Sequence, residues 1–333
     1  KFFQVLLYIG GGGDLLKIYK LLLEIIKNNY SKKNIEIKII IGPLAKNKNK
    51  IINLAKKHKN LQCIESPNNI YDYLKNANLF IGSAGTSIFE SALFKVPSIL
   101  IQMSKNQSTN IFSLEKLGQY FFLKSEDLFK FKYFSELINI IFKNYTRVQL
   151  LNKNPKVKID DKGCKRIANY IFQNKYIEKF KIYKNNFYKK KESKLKIISV
   201  EDSNINHYLY SRNLFINRNN SYKKNIISTL KHYIWWFSTS RKSYALLKGE
   251  EKILYIYEEP LFKYLGKQYL LSGWFACSKN CSLREIIFVL NWQKNKYSNK
   301  TKWVSFVKNT NKPSLILSKY IGWQVLKNKD KVL

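Results

Sequence analysis

Apolar residues in the first half of the chain fall into short continuous runs that alternate with amphipathic stretches. The runs lie in FFQVLLYIG, IEIKIIIG, LQCIES, NLFIG, PSILIQ and YFFLK, and apolar positions recur at helical spacing in stretches such as LLKIYKLLLEIIK. Strands that are apolar on both faces are typical of a parallel sheet covered on both sides, and the helical spacing is typical of helices packed on it. Residues 1–150 are therefore predicted to form a Rossmann-like, doubly wound α/β domain.

The pattern becomes helical and highly charged after about Tyr145. It ends in YKNNFYKKKESK, a Lys-rich run without an apolar period. Such a run is typical of a solvated connection between domains. We therefore predict a helical, Lys-rich linker over residues 151–194.

The remaining residues, 195–333, lack the repeated β-α pattern. Strands are predicted at 195–200, 242–248, 251–258, 268–277 and 301–309, and helices near 203–217, 228–238, 284–296 and 313–322. The strands 242–248 and 251–258 are separated only by Gly249 and Glu250, which is typical of a hairpin between antiparallel strands. This second domain is predicted to be α+β.

The composition narrows the possible partners. The formal charge is +38, and only six of the 60 basic residues are Arg. Proteins that read specific nucleic-acid sequences favour Arg for paired contacts to bases and phosphates, so specific nucleic-acid binding is disfavoured. A Lys-rich surface that attracts polyanions remains an alternative function. The four cysteines are scattered without metal-ligand spacing, which predicts reduced thiols, no metal and a cytoplasmic protein.

Two turns rich in small residues follow predicted strands of the first domain. They are YIGGGGDLL, with Gly10 to Gly13, and FIGSAGTSIFE, with Gly82 to Ser87. Backbone amides that no side chain shields can approach a phosphate closely, and a helix start adds partial positive charge. Together the turns could clamp a diphosphate, although each alone is also typical of an ordinary strand-to-helix connection. Neither turn is a Walker A sequence or the spaced dinucleotide fingerprint, which disfavours a nicotinamide cofactor.

Glu90 lies four residues after Thr86 on the next predicted helix, and so on the same face. Its carboxylate could accept both hydroxyls of a ribose, and the alternative is a solvated helix glutamate. In their order along the chain, the turns, Glu90, VPSILI and SKNQ resemble the nucleotide-binding half of the GT-B glycosyltransferase-like superfamily. The likeness is to UDP-sugar hydrolases of pseudaminic acid biosynthesis and to related spore-coat polysaccharide proteins.

The resemblance implies roles for individual residues around a UDP-sugar. Gly11 and Gly12 would line the diphosphate, the backbone at 41–43 would flank the uracil, and Glu90 would bind the ribose. The other implied residues are Ser83, Gly85 and Thr86 near the phosphates and Asn106 and Gln107 near the sugar.

Enzymes of this kind also carry a preceding N-terminal half with a catalytic histidine. His58, His207 and His232 match none of that machinery, so the missing half is expected upstream or on another polypeptide. The resemblance implies a hydrolase or a glycosyltransferase-like activity on a UDP-amino sugar in surface-glycan biosynthesis. The alternative is a truncated or degenerate, non-catalytic nucleotide-sugar-binding module.

The second half resembles the GNAT acetyltransferase superfamily in YSRNLFINRNNS, LKHYIWWFSTS and VKNTNKPSLILSKYIGWQVL. The resemblance implies an acetyl-CoA cofactor, with Asn311 and Ser314 near the CoA thiol and Tyr320 as the acid. The strand YLLSGWFAC would splay to pair with the pantetheine arm. The following loop, CSKNCSLRE, holds no glycine where the superfamily has a Gly-rich pyrophosphate loop. We therefore expect weakened acetyl-CoA binding, because Cβ atoms would crowd the phosphates.

Overall fold

A computed structural model describes residues 2–28, 34–173, 194–221, 224–278, 281–297 and 301–324. These residues divide into two compact units. The first contains the described residues up to 173 together with 229–238, and the second contains the rest. The Lys-rich end of the expected linker, 174–193, lies outside the described residues. None of the helices in the described part of the chain combines the length and hydropathy that a membrane crossing requires.

The first unit is built from repeated β-α connections, as the apolar pattern predicts. Its strands are β1 (Phe3–Tyr8), β2 (Gly12–Asp14), β3 (Ile35–Ile41), β4 (Leu44–Lys46), β5 (Leu61–Glu65), β6 (Leu79–Ser83), β7 (Ser98–Gln102) and β8 (Phe121–Lys124). Its helices before residue 174 are α1 (Leu16–Lys27), α2 (Lys48–Lys57), α3 (Tyr71–Asn76), α4 (Ser87–Leu93), α5 (Ile111–Lys116), α6 (Phe131–Lys143), α7 (Tyr145–Lys153) and α8 (Gly163–Gln173).

Six of these strands form one parallel sheet in the order β5-β3-β1-β6-β7-β8. The chain therefore builds outward from β1 to one edge, returns, and builds from β6 to the other edge. The strand order reverses between β1 and β6, which is the place where ligands bind in doubly wound folds. The predicted fold class of this unit is confirmed.

Helices cover the sheet through apolar faces. The buried face of α1 carries Ile18, Leu21, Leu22 and Ile25, and the buried residues of α6 include Phe134, Leu137, Ile138 and Ile141. The central strands β6 and β7 are buried along almost their whole length. Burial on both faces explains why these strands read as continuous apolar runs.

The glycine run after β1, Gly10 to Gly13, does not form the single turn that the sequence predicts. Gly12 and Gly13 belong to β2, which pairs in parallel with β4 outside the main sheet. The chain can do this because Gly42 lies directly against Gly11: a Cβ on Gly42 would lie 2.5 Å from the backbone of Gly11. A strand of three residues has no periodicity, so the sequence pattern could not predict this pairing.

The second unit is α+β. Its strands are β9 (Leu195–Ser199), β10 (Lys242–Lys248), β11 (Glu251–Tyr264), β12 (Lys267–Ala276) and β13 (Thr301–Val304). Its helices are α9 (Ile205–Asn213), α10 (Phe215–Asn219), α12 (Leu283–Asn295) and α13 (Lys312–Tyr320). The sheet order is β13-β12-β11-β10-β9. The first four strands in the chain pair antiparallel, the hairpin at Gly249 is confirmed, and β13 is parallel to β12.

This topology agrees with the expected GNAT-like fold class. Helices α9 and α10 and a further helix at Thr229–Ser238 separate β9 from β10, three strands follow in antiparallel order, and α12 leads to a parallel strand. The pairing of β12 with β13 ends at Leu271 and Val304, although β12 continues to Ala276. The predicted strand at 301–309 is shorter than expected, because β13 leaves the sheet there and a cleft opens.

One segment of the second half belongs to the first unit. Helix α11 (Thr229–Ser238) lies between α10 and β10 in sequence but packs on α6 and β8. Tyr233 is fully buried there, and its hydroxyl oxygen accepts a hydrogen bond from the Phe122 amide at 3.3 Å. The expected domain over 195–333 thus differs from the compact unit by this helix.

Candidate functional site

The two small-residue turns leave the sheet side by side. β1 and β6 are adjacent, with Tyr8 opposite Gly82, so both chains end at the same edge of the sheet. A Cβ placed on Gly10 would lie 3.9 Å from Ser83 Oγ. The β3–β4 connection reaches the same place, because Gly42 packs on Gly11. Three loops therefore meet at the point where the strand order reverses.

A fourth segment closes the far side of this site. Residues 105–107 form a 3-10 helix after β7, and the Gln107 Nε2 would lie 3.7 Å from a Cβ on Gly85. The Gln107 Oε1 accepts a hydrogen bond from the Met103 amide at 2.9 Å, which fixes the side chain. The Asn106 Oδ1 accepts a hydrogen bond from the Ser104 hydroxyl. Asn106 itself is exposed, whereas Ser83 is buried.

The start of α1 does not serve as an open anion site. The Asp14 carboxylate accepts a hydrogen bond from the Leu16 amide at 2.9 Å and another from the Asn47 side chain at 2.7 Å. These bonds lower the pKa of Asp14, so an anion of the protein itself already occupies this helix start. A phosphate at this edge would meet loop amides instead of the first amide of α1.

Glu90 lies in the first turn of α4 and is half-buried. Burial raises the pKa of its carboxyl group, because the charged form loses solvation. Among the described residues, no hydrogen bond or ion pair reaches this carboxylate. The group is therefore available to bind a ligand, unlike an ordinary helix glutamate on a solvated face. Thr86, one turn earlier, is exposed.

The structure brings most of the residues expected at the nucleotide-sugar site to one edge of the first sheet. Gly11 and Gly85 lie on loops that meet there, and Gly12, Ser83 and Gln107 lie in the short strand, the strand end and the 3-10 helix beside them. Their roles toward a ligand remain predictions.

In the second unit, the residues expected near CoA surround the start of α13. Asn311 is the N-cap residue, and its Oδ1 accepts a hydrogen bond from the Ser314 amide at 3.3 Å. Both residues line a cavity of about 410 Å³ that lies where β12 and β13 separate. Tyr320, at the other end of α13, is 74% exposed and does not line that cavity.

The start of α12, where the resemblance implies the CoA pyrophosphate, does not fit that group. Ser282 caps the helix, and Glu285 accepts hydrogen bonds from the Ser282 amide at 2.8 Å and from Lys248 Nζ at 2.9 Å. Burial opposes ionisation of Glu285, but these bonds lower its pKa overall. A buried carboxylate at this helix start would repel a pyrophosphate.

The sequence patterns missed two residues of the cavity in the second unit. Arg212 and Tyr257 both line it. Arg212 lies in YSRNLFINRNNS, but the resemblance gave neither residue a role. Composition could have pointed to Arg212, because Arg is rare in this Lys-rich chain.

Comparisons with solved structures give distant likenesses, each over part of the chain. A domain from Methanocaldococcus jannaschii DSM 2661 is 20% identical, covers 42% of this chain and 94% of its own, and has a TM-score of 0.35. An N-acetyltransferase from Staphylococcus aureus Mu50 is 13% identical over 39% of this chain and 82% of its own, with a TM-score of 0.31.

A structure described as a UDP-N-acetylglucosamine 2-epimerase from Listeria monocytogenes is 14% identical and has a TM-score of 0.39. It covers 53% of this chain, and the match spans 46% of the epimerase. No curated protein sequence matches the chain at a significant level. Residues 5–167 match the model of the glycosyltransferase family 28 C-terminal domain, so the first unit is similar to the C-terminal half of a GT-B-type glycosyltransferase.

Proposed function

We propose that the first unit binds a UDP-sugar where β1 and β6 end, and that the chain processes a UDP-amino sugar in surface-glycan biosynthesis. The pathway would be one that makes pseudaminic or sialic-acid-like sugars in the cytoplasm. The observation that carries this proposal is the meeting of three loops and the 105–107 helix around Gly10 and Ser83. The match to the glycosyltransferase family 28 C-terminal domain supports it.

Each part of the site has a chemical role in this proposal. Amides of the turns at 10–13 and 85–86 donate hydrogen bonds to the diphosphate, whereas the Ala84 amide already donates to the Ile101 carbonyl. Glu90 accepts hydrogen bonds from the ribose hydroxyls, since its half-buried carboxylate has no partner among the described residues. The sugar lies toward Asn106 and Gln107, whose amide groups can donate and accept.

Hydrolysis or transfer breaks the bond between the sugar C1 and the diphosphate oxygen, and UDP leaves with the bonding electrons. The loop amides stabilise the charge that develops on this leaving group. Of the three histidines, His58 follows α2, His207 lies in α9 of the second unit, and His232 lies in α11, which packs on α6 and β8. We therefore propose that a base or an acceptor is supplied by a GT-B N-terminal half, either upstream or on another chain. Without it the unit is a nucleotide-sugar-binding module.

The proposal predicts that replacing Glu90 weakens UDP binding without destabilising the unliganded protein. We expect Glu90→Gln to weaken UDP binding by about ten-fold, the effect of losing a hydrogen bond to a charged group. The unliganded variant should be at least as stable at neutral pH. Burial raises the pKa of Glu90 in the folded protein above its value in the unfolded chain. The ionised carboxylate therefore destabilises the fold. This destabilisation is absent below the unfolded pKa and is complete once the pH has risen above the folded pKa.

Calorimetry with UDP and thermal unfolding from acidic to neutral pH measure the two effects. Glu136→Gln, on the exposed face of α6, is the matched control. UDP affinity unchanged in Glu90→Gln would contradict the role of Glu90, and no UDP binding by the parent protein would overturn the proposal itself.

Acyl transfer by the second unit is a second candidate function. The GNAT-like strand order and the cleft beside β12 favour it, and the carboxylate of Glu285 at the start of α12 opposes a CoA pyrophosphate there. We expect release of CoA from acetyl-CoA, with an amino-sugar acceptor, to be absent or slow. A thiol-trapping assay measures it, and rapid acceptor-dependent release would establish an acetyltransferase.

A further inference from the structure

The cavity of the second unit is almost entirely neutral. It lies along the part of β12 that β13 does not cover, from Ser272 to Ala276, and its far wall comes from residues 305–323. Of the described residues that line it, Arg212 alone carries a formal charge. The volume of about 410 Å³ suits a ligand of the size of a small sugar derivative.

In the described part of the chain, Arg212 donates hydrogen bonds only to uncharged groups. Its Nη2 donates a hydrogen bond to Ser221 Oγ at 2.6 Å, and its Nη1 donates one to the Asn217 carbonyl at 3.4 Å. Both acceptors are neutral, and no carboxylate pairs with Arg212 among the described residues. Burial lowers the pKa of this guanidinium, which reflects the cost of holding an unpaired charge away from water.

The carboxylate of Glu259, two residues after Tyr257 on β11, is already engaged. Glu259 Oε2 accepts hydrogen bonds from Arg241 Nε at 3.1 Å and Nη2 at 2.8 Å. The Arg241 guanidinium also lies 3.9 Å from the centre of the Tyr257 ring. Glu259 therefore pairs with Arg241, and Arg212 has no carboxylate partner among the described residues.

A second polar group reaches the cavity because β12 has a glycine. A Cβ on Gly273 would lie 2.3 Å from the hydroxyl oxygen of Tyr257, so only a residue without a side chain lets this phenol lie against β12. Tyr257 and Arg212 thus line the same cavity. A phenol donates a hydrogen bond to an anion, and a guanidinium donates two in parallel.

We infer that this cavity binds a small molecule through an anionic group, a carboxylate or a phosphate, which Arg212 holds and Tyr257 contacts. Arg fits this task because its planar fork matches both anions, whereas Lys, the usual cation of this chain, offers a point charge. The inference concerns the second unit and does not depend on nucleotide binding by the first.

Three monosaccharides test the inference on the full chain: glucuronic acid, glucose 6-phosphate and glucose. We expect calorimetry to show binding of at least one charged sugar and about 10- to 100-fold weaker binding of glucose, because the charged hydrogen bonds are lost. Binding of glucuronic acid alone identifies a carboxylate ligand, and binding of glucose 6-phosphate alone identifies a phosphate ligand. None of the probes carries a nucleotide, so failure of the UDP proposal would leave this result intact.

Variants distinguish binding of the charged sugar at Arg212 from nonspecific attraction of an anion to a basic protein. Arg212→Gln and Arg212→Lys should each lose about ten-fold or more in affinity, since Lys keeps the charge but not the fork. Arg218→Gln is the matched control: it removes the same charge from the neighbouring helix α10, and Arg218 does not line the cavity. The inference is overturned if glucose binds as well as both charged sugars. It is also overturned if Arg218→Gln weakens binding as much as Arg212→Gln.

Discussion

Gly42→Ala is expected to lose UDP binding and to unfold at a lower temperature than the parent protein. The added Cβ would lie 2.5 Å from the Cα, C and O atoms of Gly11, a contact that neither backbone can relieve without moving. Overpacking of this kind destabilises by about 1–3 kcal/mol. The displaced segment is the glycine turn that meets Ser83, so the site should be lost even where the fold survives.

Two glycine variants complete this experiment. Gly11→Ala places a Cβ in open space, so it should keep the stability of the parent protein and still weaken UDP binding, because the diphosphate approaches this backbone. Gly163→Ala also meets nothing within 4 Å and lies in α8, away from the site. Thermal unfolding and UDP calorimetry on the three variants measure both effects. Full UDP affinity in Gly42→Ala and Gly11→Ala would place the nucleotide elsewhere.

Much of the first unit could be predicted from its sequence because its strands and helices are marked by short, local patterns of apolar residues. The strands are apolar on both faces, and helices such as α1 carry one apolar stripe, so periodicity alone locates them. The loops of a doubly wound sheet gather at one edge by topology. The meeting of the turns at Gly10 and Ser83 therefore follows once the strand order is known.

What the sequence did not predict depends on contacts between distant residues. The β2–β4 pair rests on the contact between Gly11 and Gly42, and no periodicity marks it. Asp14 reads as an ordinary turn residue, and only the structure shows that it fills the start of α1. Arg212 lies in the stretch YSRNLFINRNNS, but that resemblance gave it no role, and the inferred role comes from the cavity around it. Asn311 acts as the cap of α13 in addition to any role toward a ligand.

Helix α11 is the largest departure from the sequence-based domain boundaries. Its apolar residues show that one face is buried, but they do not show against which partner. The partner is set by aromatic packing within the first unit: the Tyr233 ring lies 5.1 Å from that of Phe121, edge to face, and Phe237 lies 6.0 Å from the same ring. The Arg147 guanidinium lies 4.9 Å from the Phe237 ring.

Tyr233→Ala should therefore destabilise the first unit, although residue 233 lies within the expected second domain. Removing a large, fully buried aromatic side chain costs about 3–5 kcal/mol, and the Phe122 amide of β8 loses its acceptor. Hydrogen exchange should show faster opening of β8 and α6, with β10–β12 less affected. Phe172→Ala is the control, since Phe172 is 84% exposed. Unchanged exchange in β8, with faster exchange in β10–β12, would assign the helix to the second unit instead.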